Sequence, residues 1–182
     1  DYVIDFHTGG GERDNIAQIR FNSSEKQNEE LAKVFNPPFL VHSSYISKSL
    51  RETMNKLGKT ILLFEGGKTN ELNKEVINHG VRGTKNVLVH LNMIDQPQEI
   101  TEENPVFIKK AKWLRAAYSG MFTVTAKNGT KVKKKTLLGI IQDPFGEFKK
   151  KIYAPYDCYI FCINRTPIVN KGDALFHLGT EI

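Results

Sequence analysis

Asp5 and His7 close a short apolar run, Tyr2-Val3-Ile4-Asp5-Phe6-His7-Thr8, that ends in Gly9 and Gly10. Glu65 closes a second run, Thr60-Ile61-Leu62-Leu63-Phe64-Glu65, that ends in Gly66 and Gly67. Apolar runs of this length cut off by glycines read as buried strands. In open α/β sheets, ligands sit at the carboxyl ends of such strands. Residues two apart share a strand face, so Asp5 can reach His7. A carboxylate in that position can hold an imidazole in one tautomer, as the outer shell of a metal site does. Each feature alone also has an ordinary structural reading: a satisfied histidine, or an acid that caps the next helix or meets an arginine.

Three segments, in order, are similar to the succinylglutamate desuccinylase/aspartoacylase family. "VIDFHTGGGERDNIAQIRFN" resembles the family's Asp-Leu-His-Thr and Arg-x-Asn-x-Pro-Gln-x-Arg segment. "SLRETMNKLGKTILLFEGGKTNELNKEVINHGVRGTKNVLVHLNMI" resembles its helix, its strand ending in Glu-x-Gly and the helix after it. The third runs from "WLRAAYSGMF" to "NKGDALFHLG". The resemblance implies a zinc-dependent acyl hydrolase related to metallocarboxypeptidases, with His7 as a zinc ligand and Glu65 as general base and acid. Zinc lowers the pKa of bound water only to about 7, so a carboxylate must still move the proton. Arg13 and Arg20 match the family's arginines, Asn15 and Gln18 also match, and Ala17 replaces the proline. Arg51 matches the arginine of the Ser-Leu-Arg helix. A guanidinium can grip a substrate carboxylate bidentately, while pairing with Glu12, Asp14 or Glu52 is the alternative for these arginines. The family's second acid after the glutamate is Lys68 here, which bears on substrate type.

The family's His-x-x-Glu motif, source of its first two zinc ligands, does not occur in the sequence. The expectation is therefore the carboxyl-terminal half of a longer enzyme. It would carry one ligand of a single zinc ion whose two other protein ligands lie in an amino-terminal half, since a catalytic site needs three plus an open position. Such a segment is expected to be inactive alone.

The elements that must position these residues change character near residue 105. Before it, strand 2–7 leads through a loop rich in Gly and Asn to a helix over 25–35, which Pro37 and Pro38 stop. A short strand follows at 39–41. Ser47 or Ser49 caps a helix that runs to Leu57 and Gly58. The strand at 60–64 precedes two helices, about 70–79 and 84–93, the first stopped at Gly80. Alternating strands and helices indicate α/β architecture. After 105 come short strands punctuated by glycine, and "NGTKVKKKTLLGII" and "TPIVNKGDALFHLG" look like copies of one another. The fold expected is thus part of a zinc-carboxypeptidase-like α/β/α sandwich over 1–104, followed by a small all-β, barrel-sandwich-like domain over 105–182. The pair resembles the halves of a lipoyl or biotinyl domain. The turn Asp143-Pro144-Phe145-Gly146 has no lysine to modify, which favours a structural or substrate-gating role.

Composition narrows the classes further. The 182 residues are 40% hydrophobic, enough for a core. No apolar run reaches membrane-spanning length. Cys158 and Cys162 would stand about 13 Å apart on a strand, too far to bridge, so they read as buried reduced thiols of a reducing, cytoplasmic compartment. The net charge of +6 concentrates at 131–135 and 149–151, beside turns, where lysines guard strand edges. No nucleic-acid motif accompanies it, and neither nucleic acid nor membrane is an expected partner. The lysines of 109–112 and Arg115 read as a solvated face. The function expected is deacylation of an N-acyl amino acid or similar small carboxylate, with a homo-oligomer possible. The alternative is a binding or scaffold protein that keeps the fold without metal.

Overall fold

A computed structural model describes residues 1–101 and 104–181. It is mixed α/β and mostly sheet. In order, the elements are β1 (Tyr2–Gly9), β2 (Arg13–Phe21), α1 (Lys26–Phe35), β3 (Phe39–His42), α2 (Leu50–Lys56), β4 (Thr60–Lys68) and α3 (Lys74–His90). Then come β5 (Val106–Ile108), β6 (Lys110–Arg115), β7 (Gly120–Val124), β8 (Lys131–Val132), β9 (Leu137–Gln142) and β10 (Lys149–Tyr153). The chain closes with β11 (Cys158–Asn164), β12 (Ile168–Val169) and β13 (Ala174–Thr180).

The principal sheet runs β1-β4-β2-β11-β13-β6, with β3 beside β2, β5 beside β3 and β8 beside β11. Strand β4 is parallel to β1 and antiparallel to β2, so the glycine-terminated ends of β1 and β4 lie side by side. The far side of β2 is divided. Its first three residues, Arg13 to Asn15, pair with β11, and Gln18 to Phe21 pair with β3. The strands after residue 105 therefore continue the sheet begun before it.

Strand β2 lies where the sequence indicated a loop. Its buried face carries Ala17, Ile19 and Phe21, but Asn15, Gln18 and Arg20 interrupt the alternation that marks a half-buried strand. Those polar side chains belong to the face that builds the site. Helices α1 and α3 cover the other face. There Leu31, Ala32 and Phe35 of α1 and Val87 of α3 pack on Ile19, Phe21, Leu62 and Phe64. Helix α1 ends as expected at the prolines, with Asn36 left-handed at φ 54°. Ser49 caps α2, accepting from the Glu52 N–H. Helix α2 packs beside β4, with Arg51 in electrostatic reach of Arg20, Glu65 and Asp5, on the side of the sheet away from α1 and α3.

Helix α3 is one element where two were expected. Gly80 and Gly83 do not stop it, and Gly83 lets it approach α1 closely. A Cβ on Gly83 would lie 2.2 Å from a ring carbon of the fully buried Phe35, whereas one on Gly80 would sit at ordinary contact, 3.4 Å from Phe6. Helix propensity is a weak prior that packing of this kind overrides.

The repeated segments occupy equivalent places. Strand β8 pairs with β11 and β12 with β7, each short strand crossing to the other half. Strand β9 lies between β7 and β10 as β13 lies between β11 and β6. Phe122, Leu138, Ile141, Ile160, Phe176 and Leu178 fill the core between them. A smaller cluster of Phe39, Val41, Ile108 and Phe161 joins this core to the strands before residue 105. Lys149, Lys150 and Lys151 are exposed on β10, the edge of the four-stranded sheet, as expected. The outer strand β6 likewise exposes Lys110, Lys112 and Arg115. Strand β1, the opposite edge, exposes Tyr2 and Phe6. No helix among the described residues is long and apolar enough to cross a membrane.

The packing of α3 predicts opposite outcomes for two similar changes. Gly83→Ala should lower stability by about 2 kcal/mol or more, because overpacking a closed core costs about 1–3 kcal/mol or more. Gly80→Ala should be neutral or stabilising by up to about 1 kcal/mol through helix propensity. Urea unfolding of the two variants checks both.

Candidate functional site

Strand register brings the chemistry together. His7 on β1 lies opposite Glu65 on β4, and Glu65 opposite Gln18 on β2. A second row crosses the sheet from Gly67 through Asn15, Cys162 and His177 to Trp113. Directly paired residues point to the same side of a sheet. A cleft of about 350 Å³ opens over these rows, lined by His7, Thr8, Gly10, Arg13, Asn15, Arg20, Glu65, Trp113 and His177. Gly9 lets the chain turn tightly at its rim, since a Cβ there would fall 2.0 Å from the Arg13 carbonyl oxygen.

Glu65 is four-fifths covered, and its Oε2 accepts from Asn15 Nδ2 at 3.2 Å. The same oxygen lies 3.4 Å from Arg20 Nε. Both contacts fall on Oε2 and neither on Oε1. Asp5 Oδ2 stands 3.1 Å from His7 Nε2, the contact expected from their spacing. The imidazole is half exposed at the boundary between this cleft and an apolar pocket lined by Phe6, Phe64, Val76, Ile77 and Val81.

The three arginines part company. Arg13 and Arg20 line the cleft; Arg51 does not. Arg51 is buried, donating to Ser43 O at 3.3 Å, Ser43 Oγ at 3.0 Å and Ser44 O at 3.3 Å. Burial, with Arg20 nearby, pushes its pKa below the usual arginine value. Gln18 is fully buried on β2, and neither of its amide atoms has a hydrogen-bond partner.

Two wall residues were not singled out from the sequence. Trp113 stacks nearly parallel on His177, ring centroids 4.3 Å apart and planes 9° apart. Arg13 lies over the tryptophan, 5.2 Å from its centroid. Burial, aided by Arg20 and Arg13, pushes the His177 pKa down to about 3, so the ring is neutral at physiological pH. A polar residue inside the apolar run Leu175-Phe176-His177-Leu178 was the available signal. Burial also raises the thiol pKa values, Cys158 to about 11 and Cys162 to about 12. Both thiols are free and buried, and unreactive for that reason.

Among the described residues no three His, Cys, Asp or Glu side chains converge as a metal site. His7, with Asp5 against Nε2, could offer its other ring nitrogen as a single donor.

The family model of the succinylglutamate desuccinylase/aspartoacylase catalytic domain matches residues 1–91. Solved structures extend the likeness over the whole chain. The ectoine utilization protein EutE (DoeB) from Ruegeria pomeroyi superposes with a TM-score of 0.88 at 18% identity over 99% of this chain and 60% of its own. A succinylglutamate desuccinylase/aspartoacylase from Rhodobacter sphaeroides gives 0.88 at 19% identity, over 100% of this chain and 59% of its own. An aspartoacylase family protein from Mesorhizobium loti gives 0.82 at 17% identity, over 100% and 63%. The chain thus spans about 60% of the length of these structures. No curated protein matches it by sequence.

The buried histidine makes a pH prediction. Its pKa is about 3 folded and 6.5 by default, so below about pH 6.5 the unfolded chain binds a proton that the folded chain refuses. Stability contributed at neutral pH is lost as pH falls from 6.5 toward 3. His177→Phe should remove that component and flatten the acid limb by on the order of 2–4 kcal/mol. Urea midpoints of both chains between pH 7 and pH 4 would show it; parallel curves would contradict it.

Proposed function

Because the chain belongs to the succinylglutamate desuccinylase/aspartoacylase family, a family of acyl hydrolases, we propose that it forms the distal half of a zinc-dependent amide hydrolase. The substrate in this reading is an N-acyl amino acid or similar small carboxylate. The observation that carries the reading is the placement of Glu65, a carboxylate at a strand end, held on one oxygen by Asn15 and Arg20 inside a cleft that also contains His7 and Arg13. Glu65 takes a proton from the attacking water and returns it to the leaving nitrogen. Asn15 and Arg20 fix its rotamer and leave Oε1 to do this. Arg13 and Arg20 face the substrate's negative groups. Arg51 serves the same site from behind, by bracing the loop at 43–44.

In this reading His7 and two donors from an amino-terminal half would hold a zinc ion, which would supply an activated water. Lys68 stands where the family has a second acid. It pairs with Glu71 at 2.6 Å, which bears on the choice of acyl group. The part over 105–182 acts as a structural wall that gates the cleft rather than as a carrier of a covalent cofactor. The two unpaired thiols suit a reducing compartment such as the cytoplasm.

Two variants of the full-length protein test the reading. Glu65→Gln should lower kcat by about 10²–10⁴-fold, the usual contribution of general acid–base catalysis, with zinc content unchanged. His7→Ala should strip the metal and leave the fold standing. Amine release from a panel of N-acyl amino acids and metal analysis are the measurements. A Glu65→Gln enzyme that keeps most of its activity removes the assigned base. A zinc-loaded protein that hydrolyses nothing in the panel supports the scaffold alternative.

A further inference from the structure

Four side chains from four strands form a pillar at the cleft. Phe161 of β11 is fully buried, and its ring centroid lies 4.4 Å from that of His177 on β13. His177 stacks in turn on Trp113 of β6, and Arg13 of β2 lies over Trp113. The last member is charged, and among the described residues it forms no ion pair. Its neighbour Asp14 is taken by Arg165, with Oδ2 at 3.0 Å from Nε and 2.7 Å from Nη2. The other arginine of the cleft, Arg20, is engaged with Glu65. Arg13 is thus the cation of the cleft left without a carboxylate, held flat against an aromatic face that fixes its direction. Cation–aromatic stacking of this kind is worth about 0.5–2 kcal/mol, and a guanidinium fixed in advance loses less freedom when it binds a planar anion.

His177 adds a second observation to the pillar. It is more than nine-tenths buried, it lines the cleft, and its Nδ1 has no hydrogen-bond partner. Leaving a buried polar atom unpaired costs about 1–3 kcal/mol, more than an aliphatic residue in the same place would incur. An imidazole does what such a residue cannot: it presents a flat, uncharged face to Trp113, two residues away in the stack from a guanidinium that a second cation would repel.

We propose that Trp113 and His177 are positioning residues that pre-orient Arg13 to bind a carboxylate of the ligand, so that the cleft selects an N-acyl monocarboxylate over its neutral amide. This rests on the hydrolase reading for the ligand's class, but it concerns binding and not turnover. The part of the chain after residue 105 would then contribute to recognition through β6 and β13.

Trp113 is the single tryptophan of the chain, so its emission reports on this cleft. N-acetylglycine and N-acetylglycinamide, titrated separately into the 182-residue chain, are the probes. The acid should change the emission saturably and bind at least about tenfold tighter than the amide, the worth of one charge-assisted pair. Arg13→Ala should erase that preference. His177→Ala should weaken the acid severalfold and leave the amide unchanged, and His177→Phe, which restores a flat ring, should recover it. Urea unfolding of each variant separates loss of fold from loss of binding. Equal binding of acid and amide, no saturable response to the acid, or an Arg13→Ala chain that keeps the preference would each overturn the proposal. So would a folded His177→Ala chain that binds the acid as tightly as the unmodified chain. Acid-selective binding without hydrolysis in the full-length protein would instead count against the hydrolase reading alone.

Discussion

Three residue pairs join β2 to β11 across the two parts of this molecule, Arg13 with Asn164, Asp14 with Ile163, and Asn15 with Cys162, beside the three that join β3 to β5. The ladder is short, but side chains reinforce it. Asn128 donates to the Asp14 carbonyl at 2.8 Å, the Arg165 N–H donates to the Glu12 carbonyl at 2.8 Å, and the Arg165 guanidinium grips the Asp14 carboxylate. The segment so fastened is the same one that carries Arg13 and Asn15 into the cleft. Any slip of a strand by one residue turns its side chains to the other face. The register of this ladder therefore sets both the continuity of the sheet and the composition of the site.

The site is assembled from opposite ends of the chain by that register. Glu65 and His7 come from parallel neighbours whose ends coincide, so a pairing across 58 residues delivers two side chains to one place with little help from loops. Asn15 and Arg20 reach Glu65 from the antiparallel neighbour on its other side. His177 and Trp113 arrive three and four strands away from β4, and they close the cleft because the sheet carries on through β11 and β13.

What the sequence made legible follows from how local each signal is. Strands β1 and β4 announce themselves as apolar runs ended by glycine, and α1 and α2 by their prolines, their serine cap and their periodicity. Strand β2 hid because the polar side chains that serve the cleft break its alternation. Helix α3 read as two because Gly80 and Gly83, which fit it against aromatic rings, look like stops when the rings are not in view. His7, Glu65, Arg13 and Arg20 could be singled out individually, and their convergence on one cleft is a product of strand order. Arg51 could not be told from them by type, since only the loop at 43–44 shows where its guanidinium is spent. Trp113 and His177 are far apart in sequence, and nothing local to either indicates that they stack.

The edges of the principal sheet are unlike. Strand β6 ends it in Lys110, Lys112 and Arg115, whereas β1 ends it in Tyr2 and Phe6 with no lysine. Backbone groups on a bare edge recruit another strand, and cationic edges repel one. Such asymmetry gives the sheet a direction of growth and a limit to it. A further strand can add beside β1, while the lysines of β6 oppose one at the other end of the sheet.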